Sequence, residues 1–311
     1  MTGRFVGHVW VSRTSVGAMT QRSEVPATHR EVRLAARPRG AVTDDLFEIV
    51  EVPVPEPAPG RILVRTTTMG VAAVMRTLMD EQTAAGEVVA APGADDLHPG
   101  DLVEHPLGWR EFAVMDPSRA RRLQPDLLSD PAAYLSQGPT ALMGIGRGAD
   151  VRPGDTVFVT GAAGGVGSLA GQLAKKRGAA RVIGSKGGAG RGRRALRQRG
   201  RRAAPGRPGA RRPGRARFAI IGAPATRMSG AASAVTENDT LSLLARGITL
   251  RGLALHDHLD LVAEWHREFG QGLRDGTLTF PHARFRGIEQ APRALRELTE
   301  GRHLGAVPVD L

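Results

Sequence analysis

The 311-residue sequence contains no cysteine. Disulfide bonds, thiolate catalysis and zinc sites with sulfur ligands are therefore excluded, and we expect a cytoplasmic protein without a metal site. The sequence also lacks any run near the roughly 20 apolar residues that a membrane-spanning helix needs, so no membrane contact is expected. Aromatic residues are scarce, and Tyr134 is the only tyrosine. A tyrosine elsewhere cannot act as a proton donor.

Acidic residues are absent from residues 186–217, a stretch that holds 13 of the 43 Lys and Arg residues. This stretch produces the formal net charge of +12, and the rest of the chain is close to neutral. Such a balance first suggests that the protein binds nucleic acid or an acidic partner. No aromatic residue lies among the arginines to stack on bases, so nucleic acid is disfavoured, although phosphate contacts stay open.

The same basic stretch contains Leu196 as its only large apolar residue. It cannot bury enough apolar surface to offset the entropy that ordering costs. A parallel sheet would need further strands and helices at this point, over roughly 50–60 residues. Our hypothesis is a translated frameshift with some deletion. The alternative is a natural arginine-rich loop.

The rest of the chain divides into two regions. Residues 1–27 match neither a signal peptide nor a strand, and we expect a disordered extension. From His29 onward, short alternating runs broken by Pro and Gly predict a small, mostly antiparallel β unit. From Tyr134 onward, an apolar run, a glycine turn, a helical segment and a second apolar run predict a βαβ unit with buried parallel strands. Apolar residues at three- and four-residue steps then predict helices around Trp265 and over residues 288–298.

The glycine turn of the βαβ unit, within residues 159–168, carries the sharpest chemical signal. Gly161, Gly164 and Gly167 permit a tight turn, a close approach of the backbone to a ligand, and close packing of helix on strand. The helix that begins there offers unpaired N–H groups and the positive end of its dipole to a pyrophosphate. The sequence therefore predicts a dinucleotide site, with an ordinary tight turn as the alternative.

The end of the second strand discriminates between NAD and NADP. An NAD site favours Asp or Glu at this point, because a carboxylate binds the ribose 2′-hydroxyl. The sequence here is Gly184-Ser185-Lys186, and a hydroxyl with a cation suits a 2′-phosphate. NADP(H) is therefore the predicted cofactor, bound by Ser185 and Lys186, although Lys186 is also compatible with a solvated loop.

These features, with several further segments, resemble the zinc-independent branch of the medium-chain dehydrogenase/reductase superfamily. The nearest resemblance is to bacterial NADP-dependent oxidoreductases of the leukotriene B4 12-hydroxydehydrogenase and prostaglandin reductase type. It covers most of the chain outside residues 1–27 and the basic stretch. The segments that carry it are 32–38, 52–57, 108–114, 134–135 with 138–141, 152–157, 250–253 with 257–260, and 301–305.

The resemblance implies an α/β fold. A GroES-like β-rich substrate domain (28–130 plus 280–311) would join a Rossmann-type NADP-binding domain (131–279), whose doubly wound parallel sheet is shortened by the stretch 186–217. It also implies that NADPH delivers a hydride to the β-carbon of an alkene conjugated to a carbonyl, and that the resulting enolate is protonated. The substrate would be a small enal, enone or quinone, and the assembly a homodimer. By position, the pyrophosphate would contact Gly164, Gly165 and Val166, and the nicotinamide side would be lined by Thr140, Gly222 and Leu255.

The sequence departs from the family pattern at the site. Where the family has Asp-Pro-Tyr-Met-Arg near the substrate, residues 72–76 read Ala-Ala-Val-Met-Arg, so Val74 replaces the tyrosine. No catalytic residue is assigned. His303 stands at the nucleotide-contacting Asn of the family and is retained as a cofactor contact, with a satisfied surface histidine as the alternative. If the basic stretch destroys the cofactor site, the chain is a catalytically impaired relic of the family.

Overall fold

The computed structural model describes residues 25–37, 41–76, 83–185, 216–222 and 240–311. Residues 1–24 of the predicted extension lie outside this part, as do Lys186 and the basic stretch up to residue 215. The strands are β1 (Thr28–Leu34), β2 (Phe47–Pro53), β3 (Ile62–Val71), β4 (Ala84–Ala90), β5 (Leu102–His105), β6 (Phe112–Met115), β7 (Arg121–Arg122), β8 (Thr156–Thr160), β9 (Arg181–Ser185), β10 (Arg217–Ile220), β11 (Thr249–Gly252), β12 (Phe285–Arg286) and β13 (Val307–Asp310). The helices are α1 (Pro131–Tyr134), α2 (Gly138–Met143), α3 (Gly165–Lys176), α4 (Thr240–Arg246), α5 (Asp260–Arg274) and α6 (Ala291–Thr299).

The β-rich region forms the mostly antiparallel unit that the alternating pattern predicts. Its main sheet has the order β12-β13-β3-β4-β5-β7, with β6 also paired to β3, and β1 and β2 form a separate antiparallel pair. Strand β3 is central and nearly continuously buried. Its side chains lie in two apolar clusters, one of which includes residues of α6. The C-terminal strand β13 pairs with β3, so the last strand of the chain belongs to the β-rich region.

Helix α6 closes one face of this sheet. Its apolar residues occur at three- and four-residue steps, and Ala291, Ala294 and Leu295 are buried against Trp109 and the side chains of β3 and β13. Pro292 lies in the first turn, and Gly301, at φ +71°, follows the end of the helix. Both positions suit the ends of a helix, because Pro is compatible with a helix start and Gly with a left-handed end.

The βαβ unit forms as predicted, but its strands are less buried than predicted. Strand β8 pairs in parallel with β9, and β10 pairs in parallel with β11. Only Val159 of β8 is buried, and Phe158 is 47% exposed. No residue of β10 is fully buried. The prediction of strands buried on both faces was therefore wrong: α3 packs on β8 and β9, yet the Phe158 side chain remains largely open to solvent.

The second core is organised by helix α5. Leu261, Trp265 and Phe269 are buried one turn apart, and the Trp265 and Phe269 rings stack with centroids 4.4 Å apart. Leu259 lies just before the helix and is exposed. Trp265 donates a hydrogen bond from Nε1 to Ser136 Oγ at 3.1 Å. Helix α5 therefore holds the segment that leads into α2.

A polar chain joins the β-sheet to helix α5. Arg121 of β7 pairs with Glu104 of β5 and donates a hydrogen bond to His266 Nδ1 at 2.9 Å. The Tyr134 ring meets the His266 ring edge-on, with centroids 4.8 Å apart. The Tyr134 hydroxyl donates to the Gln124 carbonyl at 2.6 Å and accepts from the Gln124 N–H at 3.1 Å. The only tyrosine therefore serves the structure at this junction.

Two of the buried histidines, His105 and His266, have a strongly lowered pKa, and the pKa of the buried His29 is also lowered by burial. Burial lowers the pKa of His105 to about 4, with the nearby Arg110 guanidinium adding to the effect. Burial also lowers the pKa of His266 to about 4, again with help from a guanidinium, that of Arg121. Protonation of His266 would remove the Nδ1 lone pair that accepts from Arg121.

These histidines predict that the protein loses stability in mild acid. Their folded-state pKa lies below the ordinary value, so between about pH 6.5 and pH 4 the unfolded chain binds more protons, and the free energy of unfolding falls as the pH is lowered. We expect a loss of roughly 1–3 kcal/mol for each histidine across this window. Urea unfolding measured from pH 4.5 to pH 7.5 checks this.

The variant His266→Gln should show a shallower dependence of unfolding free energy on pH. The matched control is His256→Gln, because the side chain of His256 is 81% exposed, and its profile should match the wild type. An unchanged slope in His266→Gln would refute the assignment.

Candidate functional site

The predicted cofactor residues of the βαβ unit meet at the carboxyl ends of the parallel strands β8 and β9. In the register of β8 and β9, Thr160 lies opposite Ser185, so the glycine turn leaves β8 beside the last residue of β9. The Ala162 N–H donates to the Ser185 carbonyl at 2.9 Å and fastens the turn to that strand. Ligands of doubly wound sheets bind outside the carboxyl ends of the strands, which is the position of this turn.

Two residues of the tight turn, Gly161 and Gly167, hold positions where a side chain would be strained or would clash. Gly161 has φ +61°, in the left-handed region that favours glycine, and its carbonyl accepts from the Gly164 N–H at 3.0 Å. A Cβ on Gly167 would lie 2.3 Å from the Gly161 carbonyl oxygen and 2.7 Å from Ala162 Cα. The close packing of α3 on the turn therefore depends on glycine at residue 167.

The start of α3 is shaped for an anion. Gly164 is the N-cap and supplies no side-chain hydrogen bond to the first turn. The Ser168 N–H closes the first helical bond on the Gly164 carbonyl at 2.9 Å, so the N–H groups of Gly165, Val166 and Gly167 form the uncapped end. A Cβ on Gly164 would meet no atom of the described residues nearer than 3.5 Å, which leaves room in front of this end. These residues fit the pyrophosphate of a dinucleotide.

The residues assigned to the nicotinamide side lie on neighbouring elements. Thr140 is half-buried on α2, and α2 contacts the short 3₁₀ helix Leu255–Asp257 that contains Leu255. Gly222 follows β10 and is exposed. The Leu253 N–H donates to the Ile220 carbonyl at 3.0 Å, so residues 222 and 253 leave β10 and β11 side by side. The structure thus places the segment of Leu255 against α2, the helix that contains Thr140.

The ring of His303 contacts Glu297 and Phe285, whereas the glycine turn is contacted by a nearby residue, Gly305. Its Nε2 lies 2.7 Å from Glu297 Oε2, and its ring meets Phe285 edge-on at 5.4 Å. Hydrogen bonds from Arg293 and then His303 hold the pKa of the Glu297 carboxyl below its ordinary value. The contact with the glycine turn is made by Gly305, whose N–H donates to the Ala163 carbonyl at 2.7 Å. A cofactor contact by His303 stays a prediction.

The position that aligns with the tyrosine of the family's substrate segment carries no acid or base. Val74, at the tyrosine position, is 55% exposed on the 3₁₀ turn Ala73–Arg76. Among the residues that the structure describes, no group of three or more His, Asp and Glu side chains is arranged to hold a metal ion. No helix in that part of the chain is long and apolar enough to cross a membrane.

Sequence reasoning missed Gln137, which packs on the start of α3. A Cβ on Gly165 would lie 2.0 Å from Gln137 Oε1, so the carboxamide occupies the space beside that glycine. No sequence signal marks this contact, because the two residues are distant in the chain and neither belongs to a motif with the other.

Comparison with known proteins gives matches in both regions. Residues 30–123 match a family model described as the N-terminal domain of oxidoreductase. YfmJ of Bacillus subtilis, named as a candidate NADP-dependent oxidoreductase, is 35% identical over 178 residues, or 52% of each chain. The match thus spans about half the length of that relative. The NADPH-dependent curcumin reductase of Escherichia coli is 24% identical over 331 residues, covering 89% of this chain and 95% of the reductase.

The solved structure of CurA from Vibrio vulnificus extends the likeness to both regions. It superposes with a TM-score of 0.72 at 25% identity, covering 91% of this chain and 98% of CurA. Over both regions the chain is similar to the zinc-independent medium-chain dehydrogenase/reductase superfamily. The predicted α/β fold, with a GroES-like β-rich part and a Rossmann-type part, is confirmed by these structures. A further structure of CurA is a complex with NADPH.

The geometry of the turn predicts different effects for alanine at two glycines. Gly167→Ala should lower the free energy of unfolding by about 1–3 kcal/mol, because the new Cβ would press on backbone atoms that cannot move independently. Gly164→Ala should leave it within about 0.5 kcal/mol, because its Cβ has ordinary contacts only. Thermal or urea unfolding of the two variants checks this, and equal losses would contradict the geometry.

Proposed function

We propose that this protein is an NADPH-dependent oxidoreductase that reduces a carbon–carbon double bond activated by a carbonyl. The observation that carries the proposal is the uncapped start of α3, which opens beside Ser185 at the carboxyl ends of β8 and β9. Support comes from the relatives: one is named as a curcumin reductase dependent on NADPH, and another as a prostaglandin reductase. CurA has also been crystallised with NADPH.

The described residues would bind the cofactor in two places. The N–H groups of Gly165 and Val166, with the positive end of the α3 dipole, would hold the pyrophosphate. The Ser185 hydroxyl, at the end of β9, would face the 2′-phosphate, where a carboxylate would repel it. When bound, NADPH supplies the hydride. The turn contributes rigidity, since Gly161 and Gly167 fix the backbone that carries these N–H groups.

The protein groups that complete the reaction differ from the family pattern. The Tyr134 hydroxyl is engaged on both sides by the Gln124 backbone, and Val74 has no proton to give. Protonation of the enolate therefore proceeds without a tyrosine in this chain. Thr140 and Leu255, on adjoining segments, would line the nicotinamide side and shape access for a small enal, enone or quinone.

Three further assignments belong to the same proposal. The substrate domain comprises 28–130 plus 280–311, and the NADP-binding domain comprises 131–279. The absence of cysteine supports a cytoplasmic location. A homodimer follows from the family resemblance alone.

The cofactor preference can be tested at Ser185. Wild-type protein should bind NADPH more tightly than NADH, and Ser185→Asp should reverse or flatten the preference by about tenfold or more, since a carboxylate repels the 2′-phosphate and accepts from a ribose hydroxyl. Titration followed by nicotinamide fluorescence gives both dissociation constants.

The matched control for Ser185→Asp is Thr156→Asp. It places the same charge on the exposed first residue of β8, at the opposite end of the same strand pair. This control should keep the wild-type ratio of the two dissociation constants. An unaltered ratio in Ser185→Asp would place the 2′-phosphate elsewhere.

The reaction can be tested with a panel of enals, enones and quinones. We expect NADPH to be consumed with at least one of them, and for an enal or enone the product should be the saturated carbonyl compound, not an allylic alcohol. Gly164→Ala should lower kcat/KM by raising the KM for NADPH, because a methyl group in front of the α3 start hinders the phosphate.

Two outcomes favour the alternatives. Saturable NADPH binding without turnover on any substrate of the panel would identify a catalytically impaired relic. No NADPH binding, together with salt-sensitive retention on DNA, would favour nucleic-acid binding through residues 186–217.

A further inference from the structure

We propose that Gln137 is a positioning residue for the cofactor, which sets the start of α3 against α2 and keeps the anion-binding end free of negative charge. The proposal rests on the cofactor assignment above. It adds a side chain that lies outside the glycine motif and that connects the pyrophosphate side of the site with the nicotinamide side.

The carboxamide of Gln137 lies against the first residue of α3. The position that a Cβ would take on Gly165 is 2.0 Å from Gln137 Oε1 and 3.0 Å from Cδ. Gly165 is the first residue after the N-cap Gly164, so the amide oxygen lies at the helix end where the pyrophosphate would bind. Gln137 Nε2 donates to the Leu135 carbonyl at 3.3 Å, which orients the oxygen toward Gly165.

The backbone of Gln137 is held from the other side. Gln137 is the N-cap of α2, and its carbonyl accepts from the Ala141 N–H at 3.2 Å. The next residue, Gly138, is pressed on the buried Trp265 ring, since a Cβ there would lie 1.8 Å from Trp265 Cε2. The backbone of Gln137 is therefore held in place, and its side chain fills the space between α2 and the start of α3.

The chemistry of the amide matters as much as its shape. A neutral carboxamide leaves the positive end of the α3 dipole available to a phosphate, whereas a carboxylate of the same size would occupy it electrostatically. Thr140 lies one helical turn beyond Gln137 on α2. A displacement of Gln137 would thus change the pyrophosphate end and the distance to the nicotinamide side together.

The charge arm of the test uses Gln137→Glu, which is isosteric. We expect its Kd for NADPH to rise about tenfold at neutral pH while its Tm stays near the wild-type value. The matched control is Gln271→Glu on the exposed surface at the end of α5, which should bind NADPH as the wild type does. A wild-type Kd for Gln137→Glu would overturn the proposal.

The contact arm is independent of the cofactor. Gly165→Ala should lower the Tm in the wild-type background, because the methyl group displaces the carboxamide. In the Gln137→Ala background the same change should raise the Tm, since alanine is the better helix former and nothing opposes its Cβ. Equal shifts in both backgrounds would overturn the contact. If the wild type binds no NADPH, the cofactor proposal fails, while this arm still decides whether Gln137 positions α3.

Discussion

The packing of Gly138 on the Trp265 ring is the constraint on which the candidate site depends. Trp265 is fully buried, stacked on Phe269 and hydrogen-bonded to Ser136, so its ring has no freedom to retreat. Any residue larger than glycine at 138 would push α2 away from α5, because the Cβ would fall within bonding distance of ring atoms. Helix α2 in turn packs on α3, which begins at the glycine turn. The position of the α3 start therefore depends on this contact as well as on the glycine turn.

A second set of contacts links helix α5, which contains Trp265, to the β-sheet. Arg121, His266 and Tyr134 join β7, α5 and α1, and Gly305 ties the C-terminal loop to the glycine turn through Ala163. The polar part of this junction works only with neutral His266, since a protonated imidazole cannot accept from a guanidinium. Burial of a charge without a partner is costly. Burial in the junction, together with the Arg121 guanidinium, therefore lowers the pKa of His266 and keeps the imidazole neutral.

The local part of this structure was readable from the sequence, and the long-range part was not. The short strands of the β unit and the strand–glycine–helix order around Gly161 are local patterns of the chain, and these elements formed as predicted. Strand β4 was missed because its residues, Ala84–Ala90, are mostly small and do not alternate. The burial of β8 was overestimated because burial depends on what the rest of the fold places above Phe158. The Gln137–Gly165 contact joins residues whose proximity only packing determines.

The four glycines of the turn show why a motif alone underdetermines a site. Gly161 is required by its backbone angle, Gly167 by backbone atoms of the turn itself, and Gly165 by the carboxamide of Gln137. Among the described residues, no neighbour of Gly164 demands glycine. A ligand that approaches the backbone closely would explain the lack of a side chain there, and a phosphate bound by the first-turn N–H groups of α3 would be such a ligand. The space in front of Gly164 is therefore the strongest structural argument that the turn binds a nucleotide, since an ordinary tight turn would not need to keep it clear.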